Sequence, residues 1–424
     1  MEFKKYKIKD IGEVVTGFTP SKKEKDLYGF TFPFITPSDI TNSKYVIPKR
    51  FLSEKAISKK EKKVCSKSSV GVSCIGSDLG KAFFIQKVSF TNQQINTITN
   101  IKKNFDPEYI YYKIKTLRNY FHRIADGSTM PIINKSKFEN LSLDIPSLKN
   151  QKKISNILSV LDNKIEINKK IIANLEELSQ TLFKHWFVDF EFPDENGNPY
   201  KSSGGEMVDS ELGMIPKGWE IITINDFANN NVITGKTPST KIKENYSETG
   251  IPFLTIPDMH NDIFALNTER YISELGIEKL IKKVLPKNSL SISCIATPGL
   301  VCIIANDTLT NQQINSFTPN KNALYYLYFK LKSMKDYIRD LGSGGSATLN
   351  LNKTQFSKIK LVKPINEILY KYDKLVSPNF KMILNIQKEI QQLTQLRDTL
   401  LPKLMSGEIE IPDDIEVMED ELSI

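Results

Sequence analysis

The hexapeptide TNQQIN fills residues 91–96 and returns unchanged at residues 310–315, 219 positions later. Asn and Gln amides can bond bidentately to adenine in a major groove, so the word invites a reading as a pair of base readers. How far the repetition extends decides between that reading and a structural one. TGFTPS (16–21) answers TGKTPS (234–239), and PFITPSDI (33–40) answers PFLTIPDM (252–259). Arg50, Ser53 and Glu54 fall on Arg270, Ser273 and Glu274, and Lys62, Lys63 and Val64 fall on Lys282, Lys283 and Val284. SCIG at Ser73 falls on SCIA at Ser293. The offset drifts between 218 and 220, then holds at 218 from Gly127 onward, where Asn134 meets Asn352, Phe138 meets Phe356 and Pro146 meets Pro364. Halves of about 218 residues that align with so few gaps are complete structural units, far longer than a solenoid repeat. The chain reads as a pseudo-dimer with an internal pseudo-two-fold repeat.

Each half divides at the same place. Its first part, residues 1–146 and 218–364, alternates β-rich runs such as SVGVSCIG and AFFIQKVSF with helical runs such as PEYIYYKIKTLRNYFHRIA, punctuated by Gly, Pro and Asn. That mixture predicts an α/β globule. The second part, residues 147–190 and 365–407, predicts a long helix. Ile154, Leu158, Leu161, Ile165, Asn168, Ile172, Leu175, Ser179 and Leu182 alternate spacings of four and three, as do Val376, Asn379, Ile383, Ile386, Ile390, Leu393, Arg397, Leu400 and Leu404. This is the seam of a coiled coil. Asn168 and Asn379 interrupt the seams at non-equivalent places. A buried Asn gives up stability to fix register, so the helices are expected to pair in one alignment; a wet point in the seam is the alternative.

Residues 191–217, FPDENGNPYKSSGGEMVDSELGMIPK with its preceding Glu, carry Asn-Gly, Gly-Asn-Pro and Gly-Gly turn chemistry and form the linker that returns the chain. Antiparallel helices of about 35 residues would make a spacer roughly 50 Å long between the globules. The expected class is therefore α/β: two mixed globules separated by a long antiparallel two-helix coiled coil. Pro378 stands where the first half has Val160. It is expected to break or kink the second helix, so that the second seam starts only near Asn379.

Composition bounds the function. The 424 residues carry a formal charge of +9 with a pI near 9.0, and residues 408–424 form an acidic tail with eight acids and no Lys or Arg, leaving +17 on the rest. Such an excess points to a polyanion, nucleic acid above all. Cys65, Cys74, Cys294 and Cys302 show no CxxC spacing and no neighbouring His pair, against both a zinc site and a disulfide framework. Without a signal-peptide core or an apolar run of about 20 residues, the expected compartment is the cytoplasm, with no membrane partner.

Catalytic motifs fail one by one. GSDLGKA (76–82) has three residues between its glycines and Ala82 after the lysine, where a phosphate loop needs four and Ser or Thr. GSGGSA (342–347) lacks the third glycine of a dinucleotide fingerprint and leads into TLNLNKTQF rather than a helix. NPY (198–200) sits in the linker without a cofactor loop, as a turn would. His122, His185 and His260 have no counterpart in the opposite half, whereas a duplicated active site would repeat its acid–base residue. A binder is expected, with no metal and no cofactor of its own. A coiled-coil scaffold or an RNA-binding adaptor without a duplex target stays open on these grounds.

The duplicated TGxTPS entry, the TNQQIN elements, the helix NQKKISNILSVLDNKIEINKKIIANLEELSQTLFKHWFVDFE, the linker and the terminal LRDTLLPKLMSGEIEI resemble, over the whole chain, the DNA-specificity subunit of type I restriction-modification enzymes. The resemblance implies two target-recognition domains, each reading one half of a split sequence in double-stranded DNA. It implies as partners two methyltransferase subunits, which use S-adenosylmethionine, and two motor-nuclease subunits, which use ATP and Mg2+. The chain itself would be non-catalytic.

Two domains that read different half-sites should differ where they touch bases and agree where they hold the fold. The hexapeptide amides of Asn92, Gln93, Gln94, Asn311, Gln312 and Gln313 are thus expected to serve scaffold or partner contacts, as are Asn168 and Asn379. Base readers are expected in segments that differ: 22–31 against 240–250, 41–49 against 260–269, and 76–81 against 296–300. The candidates there are Lys22, Lys23, Lys25, Ser43, Lys44, Lys49, Ser77, Lys81, Lys241, Lys243, Asn245, His260, Asn261 and Thr297. The shared Lys62, Lys63, Lys282 and Lys283 suit phosphate contacts, which carry no sequence information.

Overall fold

The computed structural model describes residues 1–21, 23–127, 130–260, 262–266, 268–343 and 350–412; Lys22, Asn261, most of the GSGGSA loop and the acidic tail from residue 413 lie outside them. The chain forms two compact units, one of Met1–Ile167 with Gln391–Ile424 and one of Asn168–Ile390. They are called unit 1 and unit 2.

In unit 1 the hexapeptide leads into the strand Ile95–Thr99, which pairs antiparallel with Glu13–Thr16 on one side and Ser69–Ser73 on the other; Ala82–Ile85 completes the sheet. A second sheet of three strands places Tyr28–Ile35 between Arg50–Leu52 and the parallel Phe90–Thr91. Unit 2 repeats the plan. Ile314–Phe317 lies between Ile233–Thr234 and Leu290–Ser293, followed by Val301–Ile304 and Phe264–Ala265, and a four-strand sheet holds Tyr246–Ser247, Arg270–Ile272, Ile251–Leu254 and Leu309–Thr310. The central strands of the two larger sheets, Ser69–Ser73, Ile95–Thr99, Leu290–Ser293 and Ile314–Phe317, are short and buried on both faces, so their runs read as continuous apolar or Ser/Thr stretches instead of clean alternation. The helices Pro107–Thr116 and Leu324–Ser333 cover the larger sheets with buried tyrosines: Tyr109, Tyr111 and Tyr112 in unit 1, Tyr326 and Tyr328 in unit 2.

The two long helices are Leu148–Phe187 and Asn366–Ser406. Every residue of both expected seams is buried or half-buried. In unit 1 the first helix meets the second at Asp162, whose carboxylate accepts the Arg397 guanidinium at 2.7 Å and the Tyr112 hydroxyl at 2.7 Å. Burial works against the Arg397 charge, but the hydrogen bonds and charges of Asp162 and Asp398 outweigh it and raise the pKa of this guanidinium. In unit 2 the Asn168 amide donates to Glu389 at 2.9 Å, the Asn379 amide donates to Ser179 Oγ at 3.1 Å, and the Tyr372 hydroxyl donates to the Ser179 carbonyl at 3.1 Å. In unit 2 partners that rise in number on the first helix fall on the second, from Asn168 with Glu389 to Ser179 with Asn379 and Tyr372, so the pairing there is antiparallel. Each seam Asn donates to a polar group of the facing helix.

One expectation is corrected. The second helix runs unbroken through Pro378. Proline removes one backbone donor, leaving the Lys374 carbonyl without its helical partner. Pro378 and Lys374 are both exposed, so water can serve that carbonyl, while Tyr372, Val376, Phe380 and Ile383 bury the opposite face on both sides of the proline. Packing thus outweighs the local penalty.

Candidate nucleic-acid interface

The two repeated phrases of the sequence are halves of one contact. The Thr16 hydroxyl donates to Asn96 Oδ1 at 2.6 Å, and the Thr234 hydroxyl to Asn315 Oδ1 at 2.6 Å. Thr19 donates to Gln93 at 2.5 Å and Thr237 to Gln312 at 2.6 Å. Asn92 Oδ1 accepts the Gln94 backbone N–H at 3.0 Å, and Asn311 accepts that of Gln313 at 3.0 Å. The Asn96 amide donates to Cys74 Sγ at 3.2 Å and the Asn315 amide to Cys294 Sγ at 3.2 Å. A Cβ on Gly17 would lie 2.1 Å from the Thr91 carbonyl oxygen, and one on Gly235 would lie 2.2 Å from that of Asn311. Only glycine allows the TGxTPS turn to sit on the hexapeptide. Among the described contacts, the repeated amides are spent inside their own units.

The cysteines belong to this frame. Burial pushes the Cys65, Cys74 and Cys294 thiols up to about 11 and the Cys302 thiol up to about 12. They stay neutral at physiological pH, poor nucleophiles and poor metal ligands. Among the described residues no group of three or more His, Cys, Asp or Glu is placed to hold a metal ion, and no helix is long and apolar enough to cross a membrane. His122, His185 and His260 are exposed and separate. The tyrosine of NPY stacks on Phe192 with ring centroids 4.6 Å apart.

The shared lysines split into two kinds. Lys63 Nζ donates to the Thr16 carbonyl at 2.9 Å and Lys283 Nζ to the Thr234 carbonyl at 3.1 Å, tying one turn to the first strand of the sheet in each unit. Lys62 and Lys282 are exposed. The shared arginines also pack on the fold, Arg50 lying over the Phe34 ring at 5.5 Å and Arg270 over that of Phe253 at 5.2 Å.

The differing segments surround this frame. In unit 1, segments 22–31 and 41–49 flank the pairing of Tyr28–Ile35 with Arg50–Leu52, and in unit 2 segments 240–250 and 260–269 flank the pairing of Ile251–Leu254 with Arg270–Ile272. The third pair, 76–81 and 296–300, connects two strands of the larger sheets. Lys23, Lys25, Lys49, Ser77, Lys241, Lys243, His260 and Thr297 are exposed, and Ser43 is half-buried. Lys81 is half-buried and paired with Asp78 at 2.6 Å. Asn245 is buried, its amide donating to the Ser239 carbonyl at 2.9 Å, so it holds the turn beneath the exposed lysines.

Lys44 departs furthest from expectation. Its side chain is 0% exposed, the ammonium lying 2.6 Å from Glu108 and 5.3–5.4 Å from the ring centres of Tyr45, Phe84 and Tyr112. The Lys44 carbonyl accepts the Phe84 N–H at 2.8 Å, as the Ile263 carbonyl accepts that of Ile303 at 2.8 Å. Lys44 thus occupies a position that unit 2 fills with a core isoleucine, and the Glu108 carboxylate with three rings makes its burial tolerable. Phe30 and Ile47, not among the candidates drawn from residue chemistry, are 96% and 86% exposed in the differing segments of unit 1. Apolar residues read as core in a sequence, and nothing in the apolar run LYGFTFPFI (27–35) marks Phe30 as the ring turned furthest to solvent.

The family model of the type I restriction modification DNA specificity domain matches residues 1–177 and again residues 216–397. The chain is similar to the type I restriction enzyme HindI specificity subunit of Haemophilus influenzae, 34% identical over 89% of this chain and 94% of that one. It is also similar to the MjaIX specificity subunit of Methanocaldococcus jannaschii, 30% identical over 96% and 93%. Its fold is like that of the crystallised type I restriction-modification S subunit from M. genitalium, with a TM-score of 0.58, 19% identity, and coverage of 95% and 96%. Matched twice by one domain, along the same two halves that the hexapeptide marks, the chain belongs to the family of DNA-specificity subunits of type I restriction-modification systems.

Proposed function

We propose that each unit reads one half of a bipartite sequence in double-stranded DNA, and that the chain does so without catalysing a reaction. One observation carries this reading. The phrases common to both units bond equivalent partners inside each unit, whereas the segments that flank equivalent strands and differ in sequence carry exposed basic and apolar side chains. Shared frame and divergent rim are what two readers of different half-sites need. Lys23, Lys25 and Lys49 in unit 1, Lys241 and Lys243 in unit 2, and the shared Lys62 and Lys282 supply phosphate contacts that set position, and the exposed Ser77, His260 and Thr297 face base edges. The +17 carried outside the acidic tail gives the long-range attraction.

The partners in this reading are two methyltransferase subunits and two motor-nuclease subunits. S-adenosylmethionine, ATP and Mg2+ are used by them, and the working compartment is the cytoplasm.

The test is binding of the chain with its methyltransferase partner to the duplex that is methylated in the host, against a scrambled duplex of equal length and against RNA. Preference for the methylated sequence, with affinity falling steeply as salt rises, is expected. Equal binding to all three would leave a non-specific scaffold.

A further inference from the structure

Unit 1 turns an aromatic ring out to solvent at a place where the fold is built to present a side chain. Tyr28 and Phe32 both stand opposite Leu52, so Gly29, Phe30 and Thr31 leave the strand ladder as a bulge. Bulges re-aim the residue they carry, and Phe30 at the tip is 96% exposed. The base of the bulge is fixed. Leu27 and Leu52 are fully buried, Ser53 Oγ donates to the Asp26 carbonyl at 2.7 Å, and the Tyr28 hydroxyl donates to the Pro20 carbonyl at 3.2 Å. A Cβ on Gly29 would lie 2.8 Å from Ser53 Cα, so the chain comes closest to its neighbour just before the ring. A side chain held out from a rigid base has little backbone order left to lose on binding.

Unit 2 makes the same excursion with another tip. Tyr246 and Ile251 both face Ile272, and of the four residues between them Ser247 still pairs with Tyr271 while Glu248, Thr249 and Gly250 follow; all four are exposed and carry no aromatic ring. An isolated exposed Phe needs no explanation. A bulge repeated in both units with an exchanged tip does, because it is the pattern a specificity element should show. The charges at its root fit a polyanion: Glu24 is paired with Lys60 at 3.0 Å and Asp26 with Lys59 at 2.7 Å, while Lys23 and Lys25 remain exposed.

We propose that Phe30 contacts DNA bases directly, wedging its ring against a base step of the half-site read by unit 1 while Lys23 and Lys25 meet the flanking phosphates. The proposal rests on the DNA-reading function above. Apolar wedges of this kind partly unstack a step, and the ring recovers part of that cost by stacking on the exposed base face.

The test uses the full chain with its methyltransferase partner and three duplexes: the sequence methylated in the host, the same with the unit 1 half scrambled, and the same with the unit 2 half scrambled. Phe30→Ala is expected to lose between about 5-fold and about 150-fold in affinity for the intact sequence. It should discriminate less against the first scrambled duplex and keep its full discrimination against the second, and Phe30→Trp should restore both values. Unchanged thermal unfolding of both variants checks the fold. Phe30→Ala that binds and discriminates as the unsubstituted chain overturns the proposal, as does an equal loss on all three duplexes. If the unsubstituted complex itself fails to prefer the intact duplex, the DNA-reading function falls, and this proposal with it.

Discussion

Arg397 on the second long helix donates to Asp162 on the first at 2.7 Å, with side-chain exposures of 9% and 3%. The corresponding place in unit 2, 218 residues away in each case, holds Ser179 and the buried Phe380, so the repeat does not extend to how each globule meets its helices. Unit 1 uses a buried ion pair with a tyrosine on it; unit 2 packs Phe380 against Tyr325, Tyr328 and Phe329. Breaking a buried pair leaves an uncompensated charge and costs about 3–5 kcal/mol. Arg397→Met should therefore lower the stability of unit 1 by about that amount, and adding Asp162→Asn should recover part of it. Denaturant unfolding of the two variants measures both effects, and equal losses would mean that the pair is not what holds the helices there.

The glycines under the hexapeptide make a second prediction. Gly17→Ala and Gly235→Ala each drive a methyl group into a carbonyl oxygen of the facing turn, with Cβ distances of 2.1 and 2.2 Å. Overpacking against backbone typically costs about 1–3 kcal/mol. Each variant should lower the unfolding midpoint, and a pair of variants with unchanged midpoints would show that the turn can move away.

Pro378 offers the opposite sign. It is exposed in the interior of a continuous helix, so Pro378→Ala restores a backbone hydrogen bond without disturbing the buried face. Proline costs up to about 3 kcal/mol relative to alanine in such a position. A rise in stability is expected, and a loss would mean that the proline sets a bend the unit needs.

The thiols predict a chemical behaviour. Burial holds all four well above their ordinary range, at about 11 to about 12. The folded protein should be inert to a thiol reagent at pH 8 and release four equivalents once denatured. The sign for stability follows: unfolded thiols ionise from about pH 8.5, so their contribution is full below that value and is lost as pH climbs toward the folded values.

Much of this was legible in the residues, for reasons that differ by element. The repeat could be read because TGxTPS and TNQQIN bond each other, and a contact needed twice is written twice. The seams could be read because spacings of three and four survive whatever packs against them. Lys44 could not, since its burial depends on Glu108, 64 positions away, and on the rings of Phe84 and Tyr112 as well as that of its neighbour Tyr45. Pro378 misled for a similar reason: propensity is local, while the buried row of Tyr372, Val376, Phe380 and Ile383 that overrides it is not. Asn245 looked like a base reader because a side-chain amide has the same chemistry at a groove and in a turn; only its bond to Ser239 separates the two.

The central claim is that the differing segments of each unit read one half-site independently. Its most direct measurement is the map of methylated bases in a host whose chain has residues 16–145 replaced by the matching region of another such subunit. One half of the methylated sequence should change while the other half stays as it was. A change in both halves, or in neither, would contradict the account.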